Sequence, residues 1–330
     1  MRLRWGILAA LVTTLLLPAV TVTAARVLNP TAGPWVRLVA FTPYALLLYL
    51  GALLVLVVAS QRVRGTWRST TRALALAALV GVAVHGWWAS APFVATRPVS
   101  KGAPLHVMTS NLLFGGADCG RVLRIALDHG VDVLVLEEVT PRALARLRTA
   151  GIDDAFPHQA GAPASDTSGT MVFSSSPLTR VRRLATGFGS YAMDVQIPRV
   201  HGGVVHLLAV HPRAPVGDAE AWASDQRVIR RAAHRHQGPT MLLGDLNATM
   251  DHAPMRDLVA LGYRDAATEA GSGWQPTWPS AGEVSVLGVP LPPLVAIDHV
   301  LITGGLRAVG TWTFRVQGTD HRALVAAVDL

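Results

Sequence analysis

The chain has 330 residues, of which 51% are hydrophobic and 15% charged, and its formal net charge is +8. That charge does not describe a nucleic-acid-binding surface: residues 1–100 hold nine arginines and no acid (+9), whereas residues 101–330 hold 20 Lys and Arg against 21 Asp and Glu (−1). A single cysteine, Cys119, excludes an intramolecular disulfide and sits in no redox or nucleophile motif, so residues 101–330 must be held together by their own core.

Three apolar runs come first. Trp5–Ala25, Leu38–Ser60 and Ala73–Thr96 contain no Asp, Glu, Lys or Arg. Each exceeds the roughly 20 residues that cross a bilayer core, and three in succession read as membrane spans rather than buried helices. Arg2 and Arg4 before the first run, with small residues around Val22-Thr23-Ala24 closing it, also fit a cleaved signal peptide. The two later runs anchor the chain either way. Arginines set the orientation: Arg2 and Arg4, then Arg62, Arg64, Arg68 and Arg72 between the second and third runs, mark the cytoplasmic side. The first connection carries only Arg26 and Arg37, at its edges. Everything after Arg97 is then expected outside a multi-pass plasma-membrane anchor. Trp87 and Trp88 fall near the outer end of the third run, where indole rings favour the interface. His85 reads as a neutral residue facing a neighbouring helix rather than a proton relay.

Arg97–Pro104, with two prolines and a glycine, reads as a linker, so the expected division is 1–100 and 101–330. Strands are expected at Leu105–Asn111, Val131–Leu136, Thr170–Ser174, Met193–Ile197, Val204–Val210, Thr240–Leu243, Ala296–Ile302, Thr311–Val316 and Leu324–Val328. Helices are expected at Gly120–His129, Ala219–His236 and Ala253–Leu261. Many strands with few, separated helices suggest two sheets packed face to face with helices outside.

Polar residues recur where these apolar runs stop. The pieces are Thr109-Ser110-Asn111, Leu136-Glu137-Glu138-Val139, Gly244-Asp245-Leu246-Asn247, Ile297-Asp298-His299 and Thr319-Asp320-His321. Strand ends on a rigid scaffold can bring such groups to one cleft. Glu138 is a natural hard-cation ligand, although a lone Glu at a strand end is more often a solvated cap. Glu137 points to the opposite face if the strand continues, so at most one of the two acids lines the cleft. Asp245 and Asn247 share a face at i, i+2, with an Asx turn as the alternative reading. Adjacent residues face opposite ways, so the expected pairing crosses strands: Asp298 with His321, a competent base, leaving Asp320 free for a metal and His299 a bystander. His211 opens His211-Pro212-Arg213-Ala214-Pro215, a stiff loop suited to hold a His and a cation near an anion.

In this order the pieces resemble the endonuclease/exonuclease/phosphatase superfamily over essentially all of residues 101–330. The resemblance implies a four-layer α/β sandwich, two packed sheets flanked by helices, here preceded by three transmembrane helices. It implies that Asn111, Glu138 and Asp320 approach a metal, that Asp245 and Asn247 position nucleophile and phosphate, and that His321 with Asp298 is the base pair. His211 would stabilise the pentavalent transition state or assist the leaving group. Many members have Gln where Glu137 stands. His211–Pro215, Gly244–Thr249 and Thr277-Trp278-Pro279 ahead of Asp298, together with the three spans, further resemble a membrane-anchored bacterial branch that includes a teicoplanin-resistance protein.

The expected activity is hydrolysis of a phosphate ester or anhydride by an in-line water. The expected cofactor is Mg²⁺, with Mn²⁺ or another divalent cation as the alternative. No Gly-x-Ser-x-Gly elbow or placed Cys suggests a covalent intermediate. The anchor points to the lipid bilayer as partner and to a phosphorylated, lipid-linked substrate, either a (pyro)phosphate or a phospholipid. An extracellular nuclease is the competing reading; a domain of charge near −1 lacks the cationic surface for tracking a nucleic-acid backbone. No protein partner is evident.

Overall fold

The structure is a computed structural model that describes residues 2–95, 100, 102–197, 203–236, 238–280 and 282–330. Of the expected linker and third span, Thr96–Val99 and Lys101 lie outside the described residues. The chain divides into two compact units, Met1–Ala91 and Pro92–Leu330.

Three helices, all beginning in the first unit, are long and apolar enough to cross a membrane: Gly6–Leu28, Thr42–Arg62 and Thr66–Val94. Many of their exposed side chains are apolar, among them Leu17, Leu47, Leu54, Val57, Leu76 and Val80. A polar knot supplies the specificity. Thr23 Oγ1 lies 2.9 Å from both Tyr49 Oη and His85 Nε2, and His85 Nδ1 lies 3.0 Å from the Thr42 carbonyl. His85 is thus buried against neighbouring helices and fully engaged there.

In the second unit the strands are β1 (Leu105–Asn111), β2 (Val133–Glu137), β3 (His158–Ala162), β4 (Thr170–Ser174), β5 (Leu178–Arg183), β6 (Tyr191–Gln196) and β7 (Val204–Ala209). They continue as β8 (Thr240–Asp245), β9 (Arg264–Asp265), β10 (Ser285–Val286), β11 (Val289–Pro290), β12 (Asp298–Thr303), β13 (Arg307–Arg315) and β14 (Arg322–Asp329). Two six-stranded mixed sheets form, in the orders β13-β14-β1-β2-β4-β3 and β5-β6-β7-β8-β12-β9, while β10 and β11 make a separate hairpin.

Alternation along the strands builds the layers. Val107, Val133, Val135, Leu207, Ala209, Met241, Leu243 and Val300 pack together between the sheets. Their out-of-phase neighbours Met108, Leu134, Leu136 and Phe173 pack with the helices Cys119–Asp128 and Pro141–Thr149 on one outer face. Asp118 caps the first of these helices, accepting from Arg121 N–H, and Thr140 caps the second with Pro141 at its first position. Ala219–His234, capped by Asp218, and Ala253–Ala260 lie in the helical layer of the other sheet. The result is the expected four-layer α/β sandwich.

Pairing direction fixes where the ends fall. β1 and β2 run parallel, as do β7 and β8, while β14 is antiparallel to β1 and β12 to β8. The C-terminal ends of β1, β2, β7 and β8 therefore share one edge of the sandwich with the N-terminal ends of β12 and β14.

Candidate active site

Asn111, Glu137, His211, Asp245 and Asp298 all keep the phase of the inter-sheet core, two residues beyond Thr109, Val135, Ala209 and Leu243 and two before Val300. The apolar layer therefore turns polar at that one edge. All of these groups are buried, as are Glu138 and His321. Unpaired, each would carry a large desolvation penalty, so the bonds between them are what permits the cluster.

Asp245 is its centre. Oδ2 lies 3.1 Å from Asn111 Nδ2, 3.4 Å from Asn247 Nδ2, and 3.7 Å from both His211 Nε2 and His321 Nε2. Oδ1 accepts from the Asn247 amide at 2.8 Å, and Asn247, in the left-handed region at φ +48°, curls its side chain back to the Pro212 carbonyl. Gly244 at φ +146° has no room for a Cβ, which would meet the Val210 carbonyl oxygen.

His321 follows the cross-strand pattern. Its Nδ1 donates to Asp298 Oδ2 at 2.9 Å and approaches Oδ1 at 3.2 Å, while its backbone N–H donates to Thr319 Oγ1. Asp298 is the register partner of Asp245 across β12 and β8. His299 takes the other face, where Nδ1 lies 3.2 Å from Asp265 Oδ1, outside the cluster.

Charges follow from this packing. Burial opposes a charge on His321, but Asp298 and Asp245 outweigh it and push its pKa up to about 10. Burial foremost, and then the His321 charge, press His211 down to about 3. Asp245 is raised to about 7, by burial first; Asp298 adds to this while His321 opposes it. Two histidines on one carboxylate thus sit in opposite states at neutral pH, one cationic and one neutral.

The two adjacent acids differ from expectation. β2 stops at Glu137, and Glu138 takes φ +55°, so alternation ends between them and neither is turned away from the site. Glu137 Oε1 accepts from Thr109 Oγ1 at 2.7 Å. Burial above all, with Asp298 and Asp245 adding to it, raises the Glu137 pKa well above the carboxylate range. Glu138 instead accepts from Phe114 N–H at 2.7 Å and from Asn111 Nδ2 at 3.2 Å.

Several residues that sequence reasoning passed over hold the cluster in place. Asp225, on the helix Ala219–His234, accepts from Arg213 Nε, Nη2 and backbone N–H and from Gly187 N–H, at 2.8–3.0 Å. Arg213 is therefore a strut for the His211 loop and not the anion-facing cation expected. From the same helix Trp222 Nε1 donates to the Asn247 carbonyl and Gln226 Nε2 to that of Leu246. Thr277 Oγ1 accepts from the Ile297 and Asp298 amides, and Trp278 Nε1 donates to Asp320 Oδ2 at 2.9 Å. The prior signals for these were Arg213 in the His211–Pro215 loop and the Thr277-Trp278-Pro279 motif; Asp225, Trp222 and Gln226 had none.

Residues 108–321 match the group described as the Endonuclease/Exonuclease/phosphatase family. The chain belongs to this family. No curated protein matches its sequence significantly. Solved structures similar to it include D. rerio TDP2 complexed with single strand DNA product, 13% identical with TM-score 0.55, covering 69% of this chain and 100% of that one. Another is the endonuclease/exonuclease/phosphatase from Bacteroides vulgatus, at 14% identity and TM-score 0.53, with coverage of 69% and 100%. The family protein from Beutenbergia cavernae DSM 12333 is 20% identical with TM-score 0.50, covering 69% and 72%. At these identities the likeness is one of fold. Members of the endonuclease/exonuclease/phosphatase family are hydrolases of phosphate esters and use divalent metals.

The donor set fits such an ion. Ligand atoms of Asp245, Asp298 and His321 lie within 4.8 Å of one another, but Asp298 is committed to His321 Nδ1, and an imidazolium cannot ligate. The better oxygen donors are Glu138 and Asp320, whose charges feel each other. Asp320 Oδ1 is buried and, among the described residues, has no hydrogen-bond partner. Asn111 turns Nδ2 toward the carboxylates and gives Oδ1 to Leu113 N–H at 2.9 Å, so it orients Glu138 more than it offers an oxygen.

Proposed function

We propose that this chain is a membrane-anchored, outward-facing, metal-dependent phosphohydrolase whose substrate is a lipid-linked phosphate ester or anhydride, either a (pyro)phosphate or a phospholipid. The observation that carries the chemistry is Asp245 between a neutral His211 and a cationic His321. Asp245 Oδ2 takes the proton of the attacking water, which Asn247 holds in line. His321, kept charged by Asp298, stabilises negative charge on the phosphoryl group. This reverses the expectation that His321 is the base, because a group already protonated at neutral pH accepts nothing. Neutral His211 donates to a phosphoryl oxygen as charge builds there. A divalent cation held by Glu138 and Asp320, Mg²⁺ by the all-oxygen donors, would neutralise charge on those same oxygens.

Three spans of matching length and the arginine pattern support the anchor and its orientation. Lipid is favoured over nucleic acid because Arg213 is spent on Asp225, while Phe114 and Val216, on the loops after β1 and β7, are 59% and 68% exposed. The three spans, with His211–Pro215, Gly244–Thr249 and Thr277-Trp278-Pro279 ahead of Asp298, support membership in the bacterial branch that includes a teicoplanin-resistance protein. An extracellular nuclease would use the same catalytic set, and D. rerio TDP2 with its DNA product shares the fold.

The test is to incubate the detergent-solubilised full chain and Mg²⁺ with lipid pyrophosphates, phospholipids and DNA in parallel. Hydrolysis of a lipid phosphate, lost with chelator, is expected; DNA cut while every lipid stays intact hands the site to the nuclease reading. A reporter enzyme that works only in the cytoplasm, fused after Leu330, should be silent, and a strong signal would reverse the topology.

A further inference from the structure

The excursion from Trp278 to Val295 begins and ends at the site but takes no part in its chemistry. The Leu294 and Val295 amides both donate to the Trp278 carbonyl, at 2.9 and 2.8 Å, which closes the excursion at its base. Trp278 is bonded to Asp320 there, and β12 opens with Asp298 just beyond Val295.

Its far end is a hairpin. β10 and β11 pair through Val286 and Val289, and the two turn residues, Leu287 and Gly288, have φ +50° and +78°. Such a turn normally carries Asn or Gly, and a leucine there is strained. No packing within the domain offsets that strain: Leu287 is 99% exposed, with Val286 at 54% and Val289 at 64%. Val284–Pro293 contains no charged residue, and Glu283 just before it is drawn to Arg315 at 3.8 Å. Pro290, Pro292 and Pro293 lack amide protons, and the Leu291 amide donates to the Val284 carbonyl. This is an apolar finger with few backbone donors left to solvate, a composition suited to an environment without water.

We propose that this hairpin inserts Val286, Leu287 and Val289 into the interface of the bilayer that the chain itself spans, setting the active-site edge against the lipid surface. The proposal rests on the membrane-anchored reading above. The tether allows it: the stretch from Val94 to Leu105 reaches at most roughly 40 Å at about 3.5 Å per residue. A finger this apolar on a tethered domain meets acyl chains more readily than any other surface.

The test is spin-label accessibility in the full chain reconstituted into phosphatidylcholine vesicles. Leu287→Cys carries the label in a Cys119→Ala background, which leaves one thiol in the chain. Leu127→Cys is the reference, an exposed position at the far end of the helix that leads away from the site. The label at position 287 should be more accessible to oxygen than to an aqueous nickel chelate, and the label at 127 the reverse. If the chain floats with the vesicles while both labels favour nickel, the hairpin is not in the bilayer and the inference fails though the anchor stands. A chain that does not float removes the anchor and this inference with it. A label at 287 shielded from both reagents means that a protein covers the finger, which also overturns the assignment to lipid.

Discussion

His321 Nδ1 lies 2.9 Å from Asp298 Oδ2, and that carboxylate sits directly across the strand ladder from Asp245. One acid thus sets the charge of the histidine and, from the next strand, the readiness of its neighbour to hold a proton. Asp298 and His321 should therefore behave as one unit. His321→Ala is expected to lower kcat by about 10²–10³-fold, and Asp298→Ala with His321→Ala to be barely slower than the single variant. Fully additive losses, measured with a soluble phosphodiester, would assign Asp298 a separate task.

The rate should follow the ionisation of Asp245. Its pKa of about 7 is raised by burial and Asp298, so activity should rise as pH rises through that value, when the carboxylate can accept a proton. The rate should fall again toward pH 10 as His321 loses its charge. His321→Gln removes a cation that lowers the Asp245 pKa, so the acid limb should shift to higher pH and the alkaline limb vanish. An unmoved acid limb would remove Asp245 from that titration.

Asp225 touches no reacting group, yet it gathers Arg213, Gly187 and the helix Ala219–His234. Asp225→Asn should let the His211 loop drift, and a displacement of about 1 Å costs roughly 100-fold in rate. The loss should appear in kcat with KM little changed. A variant that merely melts at lower temperature while keeping its kcat would reduce the clamp to a fold stabiliser.

Glu138→Gln tests the metal assignment apart from turnover. An amide keeps the shape and the Phe114 contact but carries no charge, so calorimetric Mg²⁺ affinity should fall while the thermal transition without metal holds or rises. Unchanged affinity would move the ion elsewhere, to the Asp245 cluster first.

Most of the site was legible because its residues continue the phase of the core. Asn111, His211, Asp245 and Asp298 stand at the positions where the inward alternation would have put another valine or leucine, and a polar residue there must face the inter-sheet layer. What escaped was what alternation cannot carry. The left-handed turn at Glu138 breaks the phase and turns a second acid, Glu138 itself, toward the cluster beside the in-phase Glu137. The Arg213–Asp225 clamp joins a loop to a separate helix, a pairing that no local spacing announces. β3 and β5 escaped for another reason: His158–Ala162 lacks β-branched residues, and the exposed Leu178–Arg183 reads as a polar loop until it is hydrogen-bonded at the edge of its sheet. The helix Pro141–Thr149 is different again, since Thr140-Pro141 is a good start signal and Leu144 and Leu147 form its buried face.

The central claim is that water held at Asp245 attacks phosphorus. Hydrolysis of a soluble phosphodiester by the full chain in H₂¹⁸O with Mg²⁺, comparing the native protein with Asp245→Asn, tests it most directly. The label should appear in the released phosphate group, and the variant should lose nearly all of the rate. Label in the alcohol, or an Asp245→Asn variant that keeps the native rate, would contradict the account.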